Sequence, residues 1–275
     1  MTSAAIQGVR GAFSHAAAQQ ALGPQVEIVE CRTFEAMFDA VVDGTAQYAV
    51  VPVENTLAGS VQRNMDLLLA HELHVIAEAL VRVRLCLSGR PGGSIESLRV
   101  VASHPVALQQ CHAFFSRHPD IEAVTAFDTA GSVKDLMSGD AAYDGAIGSE
   151  LAASMYGAEV LERDLEDDDQ NYTRFLIVAQ EAASGDSELT KTSMAFTVPH
   201  TPGSLHEALG VLARHGVDLT RLESRPIPGR PWEYRFYADL RGSTRADREA
   251  AVADLASYAS ELRVLGHYAE APRDS

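Results

Sequence analysis

Val75-Ile76-Ala77-Glu78-Ala79-Leu80-Val81-Arg82-Val83-Arg84-Leu85-Cys86-Leu87 runs through thirteen residues without a glycine, proline, asparagine or aspartate to turn it. An extended run of this length with no turn signal is expected to leave one lobe of a protein and enter another. Before it, strand patterns at residues 4–7, 26–31 and 48–53 alternate with helical patterns at 14–22, 33–43 and 61–70. After it come strands at 98–103, 121–127 and 145–148, with helices at 105–115, 130–138 and 150–156. A late strand at 173–178 is placed to return to the first lobe. This order predicts an α/β fold with largely parallel sheets, two lobes and a cleft between them.

At residues 181–190 Ala, Ser, Gly and acidic residues replace the apolar runs, so a linker is expected there. Residues 1–180 then form one domain and 191–270 a second. In the second, strand patterns at 191–198, 217–222, 233–240 and 262–268 and helices after Pro202-Gly203 and at 246–259 follow the order βαββαβ, a ferredoxin-like split unit.

Composition narrows the function classes. The 22 Lys and Arg residues face 38 Asp and Glu, a formal charge of −16, and no basic cluster stands out, so a nucleic-acid partner is disfavoured. Lys134 and Lys191 are the two lysines; the remaining positive charge is arginine, whose fixed fork suits planar carboxylates. No apolar run is long enough to span a membrane, and the Met1-Thr2-Ser3-Ala4 start has no signal-peptide pattern, which makes a cytoplasmic location the expectation. Cys31, Cys86 and Cys111 are odd in number and widely spaced among apolar neighbours, reading as buried free thiols. The ten histidines form no metal-binding pattern, and Asp167-Asp168-Asp169 reads as a solvated acidic turn rather than a calcium loop; neither metal nor cofactor is expected.

Four polar clusters sit at the ends of expected elements. Gly8-Val9-Arg10-Gly11-Ala12-Phe13-Ser14 is a glycine-bearing turn opening a helix, where Ser14 reads either as an N-cap or as part of an anion site. Val51-Pro52-Val53-Glu54-Asn55 ends a buried strand in an acid and an amide before Gly59-Ser60; Glu54 reads as an acceptor for loop N–H groups or as a catalyst. Ser103-His104-Pro105 invites a nucleophile and base, but adjacent residues rarely reach triad geometry and no orienting acid is evident, so His104 reads as a helix-entry residue. Asn171-Tyr172-Thr173-Arg174-Phe175 begins a strand with a hydroxyl and a guanidinium; Thr173 has no base beside it and is expected to give a directed hydrogen bond.

Together with Asp128-Thr129-Ala130, these clusters closely resemble the motifs of the prephenate dehydratase family, and Pro202-Gly203-Ser204-Leu205 and Leu222-Glu223-Ser224-Arg225-Pro226 resemble its ACT regulatory domain. The resemblance implies a two-lobed, periplasmic-binding-protein-like catalytic domain, a ferredoxin-like ACT domain, and a homodimer or homotetramer assembled partly through the ACT domains. It implies conversion of prephenate to phenylpyruvate, water and carbon dioxide, with Thr173, Glu54, Asn55, Ser103 and Gln110 as catalytic residues and Ser14, Ser60, Arg174 and Phe175 in substrate binding. L-Phenylalanine as an effector is implied at Gly203, Ser204, Leu205, Glu223, Ser224, Arg225 and Pro226; Ser204 stands where many members have Ala. Arogenate dehydratase activity is the alternative within enzymes, and a non-catalytic amino-acid sensor the alternative outside them.

Overall fold

Strands covered on both faces read as unbroken apolar runs, and Ala49, Val50, Val51 and Val53 are all fully buried in this way. They belong to the first of three sheets in the structure, a computed structural model that describes residues 2–139, 141–183, 189–242 and 244–272. In chain order β1 (Ser3–Gln7), α1 (Phe13–Leu22), β2 (Glu27–Cys31), α2 (Phe34–Val42) and β3 (Tyr48–Asn55) alternate. β1 pairs in parallel with both β2 and β3. A short arm, β4 (Gly59–Ser60), folds back antiparallel on the end of β3, and α3 (Gln62–Ala70) and β5 (His74–Arg82) follow.

The chain then builds a second sheet from β6 (Cys86–Gly89), β7 (Val100–Ser103), α4 (Pro105–Gln109), α5 (His112–Arg117), β8 (Glu122–Thr125), α6 (Thr129–Ser138), β9 (Gly145–Gly148), α7 (Glu150–Tyr156) and β10 (Glu159–Glu162). It returns through β11 (Tyr172–Ala179), giving sheet orders β2-β1-β3-β11-β5 and β10-β6-β9-β7-β8. The run at 75–87 is thus a crossover, with β5 in one sheet and β6 in the next. Its joint is tied to the returning segment: Val83 N donates to Asn171 O at 2.7 Å, and Leu85 N to Glu166 Oε2 at 2.8 Å.

Three expectations need correction. The second sheet is mixed, because β6 pairs antiparallel with both β9 and β10; it enters from an extended crossover and escapes the parallel constraint of a βαβ unit. The helix expected at 105–115 breaks at Gln110 and Cys111 into α4 and α5. Asp167, exposed in the acidic turn as expected, accepts from His112 N at 2.8 Å and Ala113 N at 2.9 Å across that break. β10 has no counterpart in the expected strands.

The described residues among 1–61 and 79–175 form one compact unit, and those among 62–78 and 176–275 another. Within the first, Gly11 has φ +88° and an added Cβ would lie 2.7 Å from Ala152 Cα, so the loop after β1 is fitted closely against α7. Ser149, the N-cap of α7, donates to Gly11 O, and Tyr156 Oη donates to Arg10 O at 2.8 Å.

The second unit contains β12 (Lys191–Thr197), α8 (Ser204–Arg214), β13 (Asp218–Pro226), β14 (Tyr234–Arg241), α9 (Arg245–Leu255) and β15 (Glu261–Tyr268), with sheet order β13-β14-β12-β15. This is the expected βαββαβ unit. Met194, Phe196, Ala238 and Leu240 pack against Val211, Leu212, Val252 and Leu255 from the two helices. Strand alternation sends Lys191 and Tyr237 to the other face. There Lys191 pairs with Glu78 at 3.0 Å, both side chains under a tenth exposed, while Asp66 of α3 accepts from Tyr237 Oη at 2.8 Å. Of the linker expected at 181–190, residues 184–188 lie outside the described residues. Among the described residues no helix is long and apolar enough to cross a membrane.

Candidate active site

A backbone turn sets the polarity of a chain of three side-chain amides. Asn55, at the end of β3, accepts through Oδ1 from Leu57 N at 3.0 Å and Ala58 N at 2.8 Å. Two N–H donors fix that oxygen, so Nδ2 must face the other way. It donates toward Asn171 Oδ1 at 2.8 Å, Thr173 Oγ1 at 3.0 Å and Tyr172 O at 3.1 Å. Asn171 is completely buried, and its Nδ2 donates to Gln110 Oε1 at 2.9 Å. The Thr173 hydroxyl is therefore an acceptor toward Asn55, which leaves its hydrogen to be donated elsewhere.

Thr56 locks the two strands carrying these groups: its Oγ1 donates to Gln170 O at 2.6 Å and accepts from Tyr172 N at 2.9 Å. Thr173 and Asn171 are two residues apart and share a face, whereas alternation along β11 directs Arg174 to the opposite one. Phe175 is buried. Glu54 pairs in register with Ser60 across the β3–β4 hairpin, where Ser60 is exposed. Ser103 is fully buried at the end of β7 and donates to Ile147 O at 2.6 Å. Ser14 is the second residue of α1, whose N-cap is Ala12, so Ser14 does not cap the helix.

Two histidines in this unit are held below the usual imidazole range. Gly11 N donates to His15 Nδ1 at 3.0 Å, and burial, reinforced by Arg10, lowers the His15 pKa. His104 caps α4, accepting from Val106 N through Nδ1 at 3.3 Å, which bears out its reading as a helix-entry residue. Burial lowers its pKa against the opposing pull of Asp128. Asp128 caps α6, and burial raises its carboxyl above the usual range, partly offset by the Gly131 N–H. All three cysteines are buried free thiols. Among the described residues no cluster of His, Cys, Asp and Glu is arranged to hold a metal ion.

Residues 4–183 match the prephenate dehydratase family, and residues 192–251 match the ACT domain. The chain belongs to the prephenate dehydratase family. It is 42% identical over 277 residues to an Arabidopsis thaliana chloroplastic protein named arogenate dehydratase/prephenate dehydratase 2, covering 96% of this chain and 72% of the relative. Among solved structures it resembles a prephenate dehydratase from Arthrobacter aurescens in complex with L-Phe, with TM-score 0.88, 31% identity and coverage of 98% and 90%. It also resembles GqqA, described as a novel type of quorum-quenching acylase, with TM-score 0.89, 34% identity and coverage of 98% of each chain.

In the ACT domain, Gly203 adopts φ +88° as the N-cap of α8, ahead of Ser204 and Leu205. Ser204 Oγ donates to Pro199 O at 2.6 Å. A pocket of about 370 Å³ beside this turn is lined by Pro202, Ser204, Leu205, Trp232, Tyr234 and Phe236. Glu223, Ser224, Arg225 and Pro226 form the end of β13, with Ser224 and Pro226 exposed and Arg225 pairing with Asp66 at 2.7 Å. The sequence alone gives Asn171 no role. Its spacing of two from Thr173 at the start of a strand was the available signal.

Proposed function

We propose that this chain is a lyase of L-phenylalanine biosynthesis that converts prephenate to phenylpyruvate, water and carbon dioxide. The observation that carries the reading is the free hydrogen of Thr173, whose oxygen already accepts from Asn55. In the reaction the bond from the ring to its carboxylate breaks, and its electron pair enters the ring as carbon dioxide leaves. The bond from the ring to its hydroxyl breaks too, and the departing oxygen takes one proton, relayed through Thr173 from Glu54 or from water, to become water. Aromatisation supplies the driving force, so the enzyme's task is to stabilise the leaving oxygen and fix the ring.

Thr173 donates to that oxygen, while Asn55 and Gln110 set the geometry around it. The N–H groups at the start of α1 and near Ser60 receive a carboxylate. Arg174, directed to the other face of β11, is assigned to the pyruvyl carboxylate or to a structural pair, and not to the carboxylate that departs. A guanidinium clamped on that group would stabilise the ground state and slow its loss.

Incubation with prephenate, followed by ultraviolet detection of phenylpyruvate, tests the reading; no product above the uncatalysed rate refutes it. Arogenate is the second substrate to compare, because the relative from Arabidopsis thaliana carries both activities in its name. An acylase reading has less support: the Ser103 hydroxyl is bonded to Ile147 O, and His104 Nδ1 to Val106 N, so this adjacent pair is not set up as nucleophile and base.

Regulation follows from the ACT domain: L-phenylalanine binds around residues 203–205 and 223–226 and favours a less active state, which requires unequal affinity for the two states. Adding phenylalanine to the same assay is expected to lower the rate. The working form is a homodimer or homotetramer, read by light scattering as two or four times the 29.5 kDa chain.

A further inference from the structure

The three amides form a one-way series. Because Leu57 N and Ala58 N fix Asn55 Oδ1, each later amide has only one orientation that pairs a donor with an acceptor. Asn171 must turn its oxygen to Asn55, hence its nitrogen to Gln110, hence the Gln110 oxygen inward. Gln110 Nε2 then points away from Asn171. Asn171 is completely buried, so water cannot relieve a mispaired orientation there.

We infer that Asn171 is a positioning residue that makes Gln110 present its N–H groups, rather than its carbonyl, to the substrate. This rests on the reading above, in which Gln110 sets the geometry around the departing oxygen of prephenate. The substrate offers two carboxylates and a hydroxyl, groups rich in acceptors. A Gln110 carbonyl in the same place would repel them. A single buried amide that touches no substrate thus decides the sign of a substrate contact.

Asn171→Asp distinguishes this role from simple packing. While the introduced carboxyl is protonated, it accepts from Asn55 and donates to Gln110 Oε1, reproducing the amide. Once ionised it is acceptor-only, so Gln110 turns over to donate inward and shows its carbonyl to the substrate. A carboxyl buried in this position titrates above its ordinary value of about 3.9, by up to roughly 3–5 units. Activity is therefore present at low pH and lost as pH rises through that value. The titratable neighbours in sequence are Glu54 next to Asn55, Cys111 next to Gln110, and Glu166 to Asp169 ahead of Asn171, where Glu166 accepts from Leu85 N and Asp167 from His112 N and Ala113 N; all are present in wild type as well. Their contribution is common to both proteins.

The test measures kcat/KM for prephenate from pH 5 to 8.5, with the uncatalysed rate subtracted, for wild type, Asn171→Asp and Asn171→Asp/Gln110→Ala. The expected result is a fall of about tenfold or more across the range in Asn171→Asp, the scale of one lost or reversed substrate hydrogen bond. The step is expected to be absent in wild type and in the double variant. A flat Asn171→Asp profile, or a step that survives without Gln110, overturns the inference. Inactive wild type would instead refute the functional reading.

Nitrogen-15 NMR of the wild-type side chains covers the case in which Asn171→Asp does not fold. The Asn171 NH₂ is expected to exchange slowly with solvent, and the Gln110 NH₂ to exchange fast and shift when phenylpyruvate is added. A protected Gln110 NH₂ that ignores phenylpyruvate overturns the inference without reference to turnover.

Discussion

At the scale of single residues, the role proposed for Thr173 rests on one hydrogen. Asn55 supplies a donor to its oxygen at 3.0 Å, so the hydroxyl is already committed as an acceptor on that side. Thr173→Ala is expected to lower kcat by about 100-fold or more, the scale of a transition-state donor. Thr173→Ser, which keeps the hydroxyl, is expected to recover much of that loss, and equal kcat for the two variants would remove Thr173 from the chemistry. The motif residues were legible from the sequence because the ordered motifs at 51–61, 103–111 and 171–175 resemble those of the family. The direction of each amide was not: it depends on a partner 116 positions away for Asn171 and on two loop N–H groups for Asn55.

At the scale of elements, the turn after β1 departs most from its simplest sequence reading. The glycine-bearing turn, expected to offer an N-cap or an anion site at Ser14, gives its Gly11 N–H to His15, and the missing Cβ of Gly11 admits Ala152 of α7. Gly11→Ala meets both a left-handed backbone and backbone atoms at 2.7 Å. It is expected to destabilise the fold by about 2–4 kcal/mol, strain and overpacking together, seen as a lower urea midpoint; an unchanged midpoint would show that α7 can move aside. The long run at 75–87 announced the two lobes because turn residues are missing from it. β4 and β10, at two and four residues, are too short to show a period, and the break between α4 and α5 depends on Asp167 some 55 positions on.

At the scale of the whole molecule, burial lowers the pKa of His15, His104 and His267 alike. The unfolded chain takes up these protons near pH 6.5 and the folded chain resists them, so stability is complete above about 6.5 and falls as pH drops below it. Urea midpoints at pH 7.5 and 5.5 are expected to show this fall, with a smaller difference in His15→Asn; an identical difference would exclude His15 as a contributor. Regulation has a structural counterpart on the same scale. Arg225, in the segment assigned to phenylalanine, reaches Asp66 through Nη2 at 2.7 Å, and among the described residues its buried Nη1 has no partner. Asp66 also receives the Tyr237 hydroxyl and lies on α3, which starts two positions after Ser60 and so continues the hairpin that follows Asn55. An effector bound as proposed, by displacing Arg225, is expected to weaken its ion pair with Asp66 of α3. Asp66→Asn keeps an acceptor for Tyr237 but turns an N–H group toward Arg225, replacing attraction with a clash of donors. It is expected to raise the half-inhibitory phenylalanine concentration by about fivefold or more, the lower end of measured coupling energies, while kcat without phenylalanine stays within about twofold, the range of surface substitutions away from an active site. If inhibition by phenylalanine is unchanged in Asp66→Asn, the signal leaves the ACT domain by another route, because the attraction that ties Arg225 to α3 is then gone.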